Sequence, residues 1–272
     1  MYLYNGNTVP DLSIETSNRA FKYGDAFFET MLYYKGQIPL LKLHIERANR
    51  TLGLLKMQLP EGFGTNDFER LLLDFLLKEE HPTAKVRISF WRNGVGAYLP
   101  TENSTSYIVE ATPITAQPFK LNKKGLTLDI YRDTYKNTDF LANLKTVGCL
   151  TYTLASLWTQ EQGIDDAILL NNYGRIAECT SSNIFIIKGD EIITPPLSEG
   201  CLDGVMRRHL LNILPQKGYT VAERPIEIEE LNTSDEIFTT NALGIKWVGE
   251  VMGRIYRNNE IFLINTFLGE VV

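Results

Sequence analysis

A chain of 272 residues exceeds the usual single domain, so one large or two modest domains are expected. The hydrophobic share of 44% and charged share of 22% describe a globular chain with material for a real core and no sign of disorder. The net charge of −6, with no basic stretch to offset it, argues against a nucleic-acid partner; the three lysines of 120–124 read as a solvated turn.

The amino-terminal MYLYNGNTVPDLS lacks the basic start and apolar run of a secretory signal. No window reaches the ~18 uninterrupted apolar residues of a membrane helix, so no membrane partner is expected. Cys149, Cys179 and Cys201 are odd in number and widely spaced, which fits a reducing, cytoplasmic setting better than a disulfide framework. No CxxC or HxxxH pair is present, and no metal is expected.

In chain order, Met1–Tyr4 and Ala26–Tyr34 read as strands, the second continuing through Gly36–Leu40. LLKLHIERANRTLGLLKM follows, with Leu43, Ala48, Leu52 and Leu55 at helical spacing. A second amphipathic helix is expected from Asn66 to Glu80, started by Asn66, Asp67 and Glu69. Ala84–Trp91 and Ser106–Thr112 read as neighbouring strands around the turn-rich RNGVGAYLPTENST. Two prolines in the uncharged stretch Thr112–Pro118 mark a linker, giving lobes 1–112 and 119–272 joined by 113–118.

Beyond it come a strand over Leu126–Tyr131, a loop holding Lys145 and a helix from Cys149 to Gln162. A meander follows: DAILLN, the turn NYGR, IAECTSSNIFIIK, the turn GDE, then IITP. A helix starts near Gly204, and strands over Glu236–Thr240 and Trp247–Met252 close the chain. The expected picture is two α+β lobes with a cleft between them, where ligands commonly bind.

A lone lysine is ordinarily a solvated surface group, but Lys145 lies in an uncharged loop running into an apolar helix. A lysine in a dry setting gives up its proton more readily and can form a Schiff base or carry a proton.

AILLNNYGRIAECTSSNIFII, some twenty residues after Lys145, resembles the signature of the class-IV aminotransferases, a family of pyridoxal-5′-phosphate (PLP) enzymes. RAFKYGDAFFETM, LHIERANRTL and GCLDGVMRRHLL extend the resemblance, in order, over most of the chain. It implies a two-lobed α+β fold of fold-type IV, like D-amino-acid aminotransferase, with the cofactor in the cleft. It also implies that Lys145 is the catalytic residue and holds PLP as a Schiff base. Glu178 would keep the pyridine nitrogen protonated so that the ring draws electrons from the carbanion.

Arg47 matches the arginine that binds the cofactor phosphate, for which a guanidinium fork is suited; His44, beside it, reads as a packing histidine. Gly204 and the amides of Val205 and Met206 resemble a second phosphate contact at a helix start. The family's usual threonine is replaced there by Met206, so one hydroxyl contact is lost. Asn241, in TTNAL, falls where a further phosphate contact is placed. The substrate pocket would include Phe28, Thr30 and Tyr98.

Family members transaminate branched-chain or D-amino acids, or convert 4-amino-4-deoxychorismate to 4-aminobenzoate and pyruvate. The D-specific enzymes use an arginine and a histidine on the loop corresponding to RNGVGAYLP, which has neither at the matching places. YGDAFFET, with Thr30, leans towards the lyase, whereas the run from Ala142 to Asn171 follows the transaminase pattern. The leading expectation is amino-group transfer from a small, branched-chain-like amino acid to a 2-oxo acid, with the lyase as alternative. A non-catalytic PLP-binding relative is the remote alternative; retention of Lys145, Glu178 and Arg47 together weighs against it. The resemblance further implies a homodimer.

Overall fold

The computed structural model describes residues 1–79, 81–115 and 117–268. Their internal packing divides the chain into two units, Met1–Pro118 with Lys145–Gly148, and Phe119–Leu144 with the chain from Cys149 onward. A short peptide containing Lys145 therefore packs with the first unit although its flanks belong to the second.

The first unit contains β1 (Tyr2–Tyr4), β2 (Asn7–Val9), α1 (Arg19–Tyr23), β3 (Ala26–Tyr34), α2 (Leu41–Leu54), α3 (Asn66–Lys78), β4 (Thr83–Arg92) and β5 (Thr105–Pro113). Its strands form an antiparallel sheet in the order β2-β1-β5-β4-β3. Alternation along β3 sends Phe27, Met31 and Tyr33 into the core with Val86, Ile88, Phe90 and Val109. Helices α2 and α3 close it with Ala48, Leu52, Phe68, Leu72, Phe75 and Leu76. Fully burying a leucine or phenylalanine side chain contributes ~1.5–3 kcal/mol, so these amphipathic stripes hold the helices to the sheet.

Strand β3 ends the sheet, and the Lys145 peptide covers its open edge. Phe28 N donates to Lys145 O at 2.9 Å, and Val147 N donates to Ala26 O at 3.2 Å. An uncovered edge strand is a pairing hazard, and here it becomes the support that fixes the lysine backbone.

The second unit contains β6 (Leu126–Lys136), α4 (Leu150–Gln162), β7 (Asp166–Asn171), β8 (Ile176–Cys179), β9 (Asn183–Lys188), β10 (Glu191–Thr194), α5 (Val205–Gln216), β11 (Thr220–Glu223), β12 (Glu236–Asn241), β13 (Gly244–Val251), β14 (Arg254–Ile255) and α6 (Asn259–Phe267). The strands run in the order β11-β10-β9-β12-β13-β6-β7-β8, with β14 added beside β13. The β13–β6–β7 steps are parallel and β9–β12–β13 antiparallel. Ile130, Ile168, Ile184, Ile186, Ile237 and Val248 form its main core.

Several element boundaries differ from those expected. Gly36–Leu40 does not continue β3, because Lys35 and Gly36 both take positive φ (49° and 82°) and turn the chain, and Leu40 (58°) then leads into α2. Helix α3 is capped by Thr65, whose hydroxyl accepts from Phe68 N at 3.2 Å; Asn66 is already helical, and Glu80, its expected end, lies outside the described residues, as does Ala116 of the expected linker. Strand β6 runs five residues beyond Tyr131 to Lys136, after a register irregularity against β7. The closing strands are followed by α6, whose Ile261 and Ile264 are buried.

Candidate active site

In the first unit, Glu29 shares the core-facing row of β3 with Phe27 and Met31, so its carboxylate is sealed among apolar groups. Helix α2 meets it with His44 and Arg47, three residues apart and therefore on one face. Arg47 donates to both carboxylate oxygens, from Nε to Oε1 at 2.8 Å and from Nη2 to Oε2 at 2.6 Å. His44 Nδ1 lies 2.7 Å from Oε2, so a neutral ring carries its proton on Nδ1 and donates it.

Burial pushes the Glu29 carboxyl up, but the Arg47 guanidinium and the His44 bond outweigh it and hold it at about 2. Burial pushes His44 below its ordinary value against the pull of Glu29; the positive charges of Arg47 and Lys145 act in the same direction as burial. His44 is thus buried, as a packing histidine would be, but it is wired to a carboxylate and feels Lys145.

The opposite face of β3 carries Phe28 and Thr30. Lys145 Nζ lies 4.6 Å from the Phe28 ring centre, and Arg87 of β4 stacks on the same ring with Cζ at 3.5 Å. Thr30 is directly opposite Arg87 in the β3–β4 register. The structure thereby brings together Lys145, Phe28 and Thr30, and adds Arg87, a cation suited to a carboxylate.

Tyr98 is placed elsewhere, on the loop after β4, where its ring packs on Tyr23 at 5.8 Å. Buried Arg19 shapes that loop, donating to Ala97 O at 2.7 Å and Gly96 O at 3.3 Å while paired with Asp25 at 2.7 Å. Tyr98 nevertheless remains 89% exposed, so a rigid loop presents an aromatic side chain outward.

In the second unit Glu178 lies on β8, buried, and three donors converge on it. Oε1 accepts from Lys136 Nζ and from the Tyr152 hydroxyl, the latter at 2.7 Å, and Oε2 accepts from Leu202 N at 2.8 Å. Lys136 Nζ also donates to the Tyr152 oxygen at 2.7 Å, closing a ring of three side chains. Burial and the Glu178 charge both push the Tyr152 hydroxyl up, keeping it a donor.

The same unit forms a cradle for an anion. Gly204 starts α5 with no side-chain cap, leaving the amide end of a twelve-residue helix to a ligand. A Cβ on Gly204 would lie 1.9 Å from Asn183 Oδ1, so a larger residue there would have to displace the Asn183 side chain, which donates to Leu202 O. Thr240 pairs with Asn183 across β9–β12, and its Oγ1 is buried without a hydrogen-bond partner among the described residues. An orphaned hydroxyl beside an uncapped helix start fits a phosphate group. The Val205 and Met206 side chains are buried, leaving their backbones as the contact surface. Asn241 is engaged in the β12–β13 turn, its Oδ1 accepting from Leu243 N at 3.0 Å.

Four of these groups escape the sequence reading. Glu29 was visible only as a letter of FFET, although its place among alternating core residues signals a buried charge needing a partner. Arg87 was hidden in the pattern of β4, Thr240 stood one position from the residue chosen, and Lys136 lay beyond the expected end of its strand.

Residues 26–249 match the Amino-transferase class IV family. The chain is 28% identical over 250 residues to aminodeoxychorismate lyase of Vibrio harveyi, covering 89% of this chain and 88% of that one. It is also 28% identical to a putative branched-chain-amino-acid aminotransferase of Methanocaldococcus jannaschii, over 98% of this chain and 93% of that one. The fold matches the branched-chain amino acid aminotransferase of Thermobaculum terrenum in its PLP form at a TM-score of 0.86, with 18% identity over 99% of this chain and 92% of that one. With its mixed α+β units and a family match spanning most of its length, the chain belongs to the amino-transferase class IV family of enzymes.

Proposed function

We propose that the protein is a PLP-dependent transaminase moving the amino group of a small, branched-chain-like amino acid to a 2-oxo acid. The observation that carries this reading is Lys145, fixed along the edge of β3, with its amine against the Phe28 ring on which Arg87 also stacks. When bound, PLP supplies an electron sink for the carbanion formed at the carbon bearing the amine. Lys145 Nζ would hold the cofactor covalently and, once free, would move the proton at that carbon. The neutral His44 and the ionised Glu29 add no competing acid near Lys145.

Glu178 would accept the ring N–H. In the second unit the Gly204–Val205–Met206 backbone and Thr240 would hold the cofactor phosphate, a role that the family resemblance gives also to Arg47 of the first unit. Arg87 would hold the substrate carboxylate, with Phe28 as an apolar wall, whereas Tyr98 faces outward on its loop.

Thr30 favours a second reading, conversion of 4-amino-4-deoxychorismate to 4-aminobenzoate and pyruvate. It is half-buried, on the Lys145 face, opposite Arg87, where a hydroxyl can hold a polar ring substituent or a water. The relative from Vibrio harveyi bears that lyase name.

The test is the visible absorbance of the purified protein with added PLP, before and after L-glutamate, L-isoleucine or D-alanine. A band fixed to Lys145 by borohydride and bleached by L-isoleucine supports transamination. A band untouched by all three donors, with pyruvate released from aminodeoxychorismate, replaces it with the lyase. No band at all removes both.

We also assign a homodimer. Leu150, Leu154 and Leu157 form an exposed apolar ridge at i, i+4, i+7 spacing on α4, suited to a second copy. Light scattering at micromolar concentration checks it, and a monomer refutes it. Among the described residues no helix is long and apolar enough to cross a membrane. The three free cysteines support a cytoplasmic setting.

A further inference from the structure

Lys136 is a charged side chain left only 7% exposed, at the end of a strand that changes register in order to reach its position. A lysine is buried at a cost unless its charge is matched. The match here is Glu178, the residue read above as the partner of the cofactor's ring nitrogen. We propose that Lys136, closed against Glu178 by Tyr152, is a positioning residue that shares the Glu178 charge and so sets how firmly the ring nitrogen holds its proton. This rests on the reading of Glu178 as that partner.

The geometry separates the two carboxylate oxygens. Oε1 takes the ammonium of Lys136 and the hydroxyl of Tyr152, while Oε2 takes one backbone amide. A carboxylate has about four lone-pair directions, so three donors leave about one for a further N–H. The orientation of Glu178 is therefore fixed before any ligand arrives. Its charge is also divided, because an ammonium in direct contact stabilises the anion and competes with a pyridinium for it. A lone carboxylate would hold the ring proton to a higher pH than this pair does. Tyr152 strengthens the arrangement, since it both accepts from Lys136 and donates to Glu178.

The test uses the full chain with PLP carrying an isotopically labelled ring nitrogen, followed by NMR across pH, together with melting temperatures with and without PLP. In Lys136→Met the midpoint of the ring-nitrogen titration should rise by about one unit. PLP should also raise the melting temperature by about 3 °C more than in the parent protein, because the cofactor then supplies the only cation for Glu178. Lys136→Arg, which restores a cation, should return both readouts towards the parent.

A midpoint and PLP-induced gain in Lys136→Met equal to the parent, or an equal drop in melting temperature with and without PLP, would mean a merely structural lysine and overturn the inference alone. Failure of the parent protein to bind PLP overturns the reading of Glu178 and the inference with it. If Lys136→Met does not fold, Tyr152→Phe decides: an upward shift of a few tenths of a unit supports the shared charge, and an unmoved midpoint overturns it.

Discussion

Two of the buried carboxylates, Glu29 in the first unit and Glu178 in the second, solve one problem in different ways. Glu29 is gripped by a bidentate arginine and a histidine from a single helix, so one local motif supplies both partners. Glu178 is gripped by a lysine from β6, a tyrosine from α4 and a backbone amide, three elements that meet only in the folded chain. An arginine fork is planar, permanently charged and pre-organised, whereas an ammonium is a point charge on a flexible stem. The Glu29 cluster is built to keep one charge state, and the Glu178 cluster leaves its carboxylate able to answer a ligand.

That contrast can be broken most sharply at Lys145. Lys145→Ala should lower turnover roughly 10⁴-fold and abolish the borohydride-fixed band, since general acid–base and covalent roles are lost together. Both clusters should survive, read as a melting temperature within a few degrees of the parent. A large fall in stability would tie the lysine to the Glu29 cluster and blur the distinction.

Next in size is removal of each cation. Arg47→Met leaves Glu29 buried without its fork and should cost about 3–5 kcal/mol by chemical denaturation. Lys136→Met, with Tyr152 and the Leu202 amide still donating, should cost roughly 2–3 kcal/mol. Equal costs would remove the difference between the clusters.

Acid sharpens the same point. The Glu29 carboxyl is held at about 2, below its ordinary 4.5, so its contribution is complete above pH 4.5 and is lost as pH falls towards 2. The shift corresponds to roughly 3 kcal/mol. His44 is also lowered, below its ordinary 6.5, so the unfolded chain binds its proton first and acid again destabilises the fold. Glu29→Gln should flatten the denaturant midpoint between pH 5 and pH 3; an unchanged acid limb would assign acid sensitivity elsewhere.

The smallest effect lies at Thr240. Its buried hydroxyl lacks a partner, so Thr240→Val should leave the apo protein unchanged or up to about 1 kcal/mol more stable. PLP affinity should fall about tenfold, one charged hydrogen bond's worth. Unchanged affinity, measured by fluorescence titration, would exclude the hydroxyl from the phosphate cradle.

Much of this molecule was legible in advance. The amphipathic stripe of α2, the strands around β4 and β5, the Cys149–Gln162 helix and the hairpins of the meander follow from apolar periodicity and turn residues within a few positions of one another. HIER lies within that helix, so the place of Arg47 on α2 was a local matter, whereas its partner Glu29 was not. Lys136 could not be read this way: its strand passes through an irregularity, and its partners stand 16 and 42 positions away in sequence. Glu29, Arg87 and Thr240 share the limitation, because a strand residue acquires its neighbours from other strands and helices.

The sequence by itself determined most of the elements, because each depends on spacing along one segment, and the family, through the resemblance of its linear motifs. Only the tertiary structure decided which oxygen of Glu178 faces which donor, that a side chain at Gly204 would run into Asn183, and that the Lys145 peptide lies along the edge of β3. Those features depend on sheet register and close packing between distant segments, which no single stretch of sequence encodes.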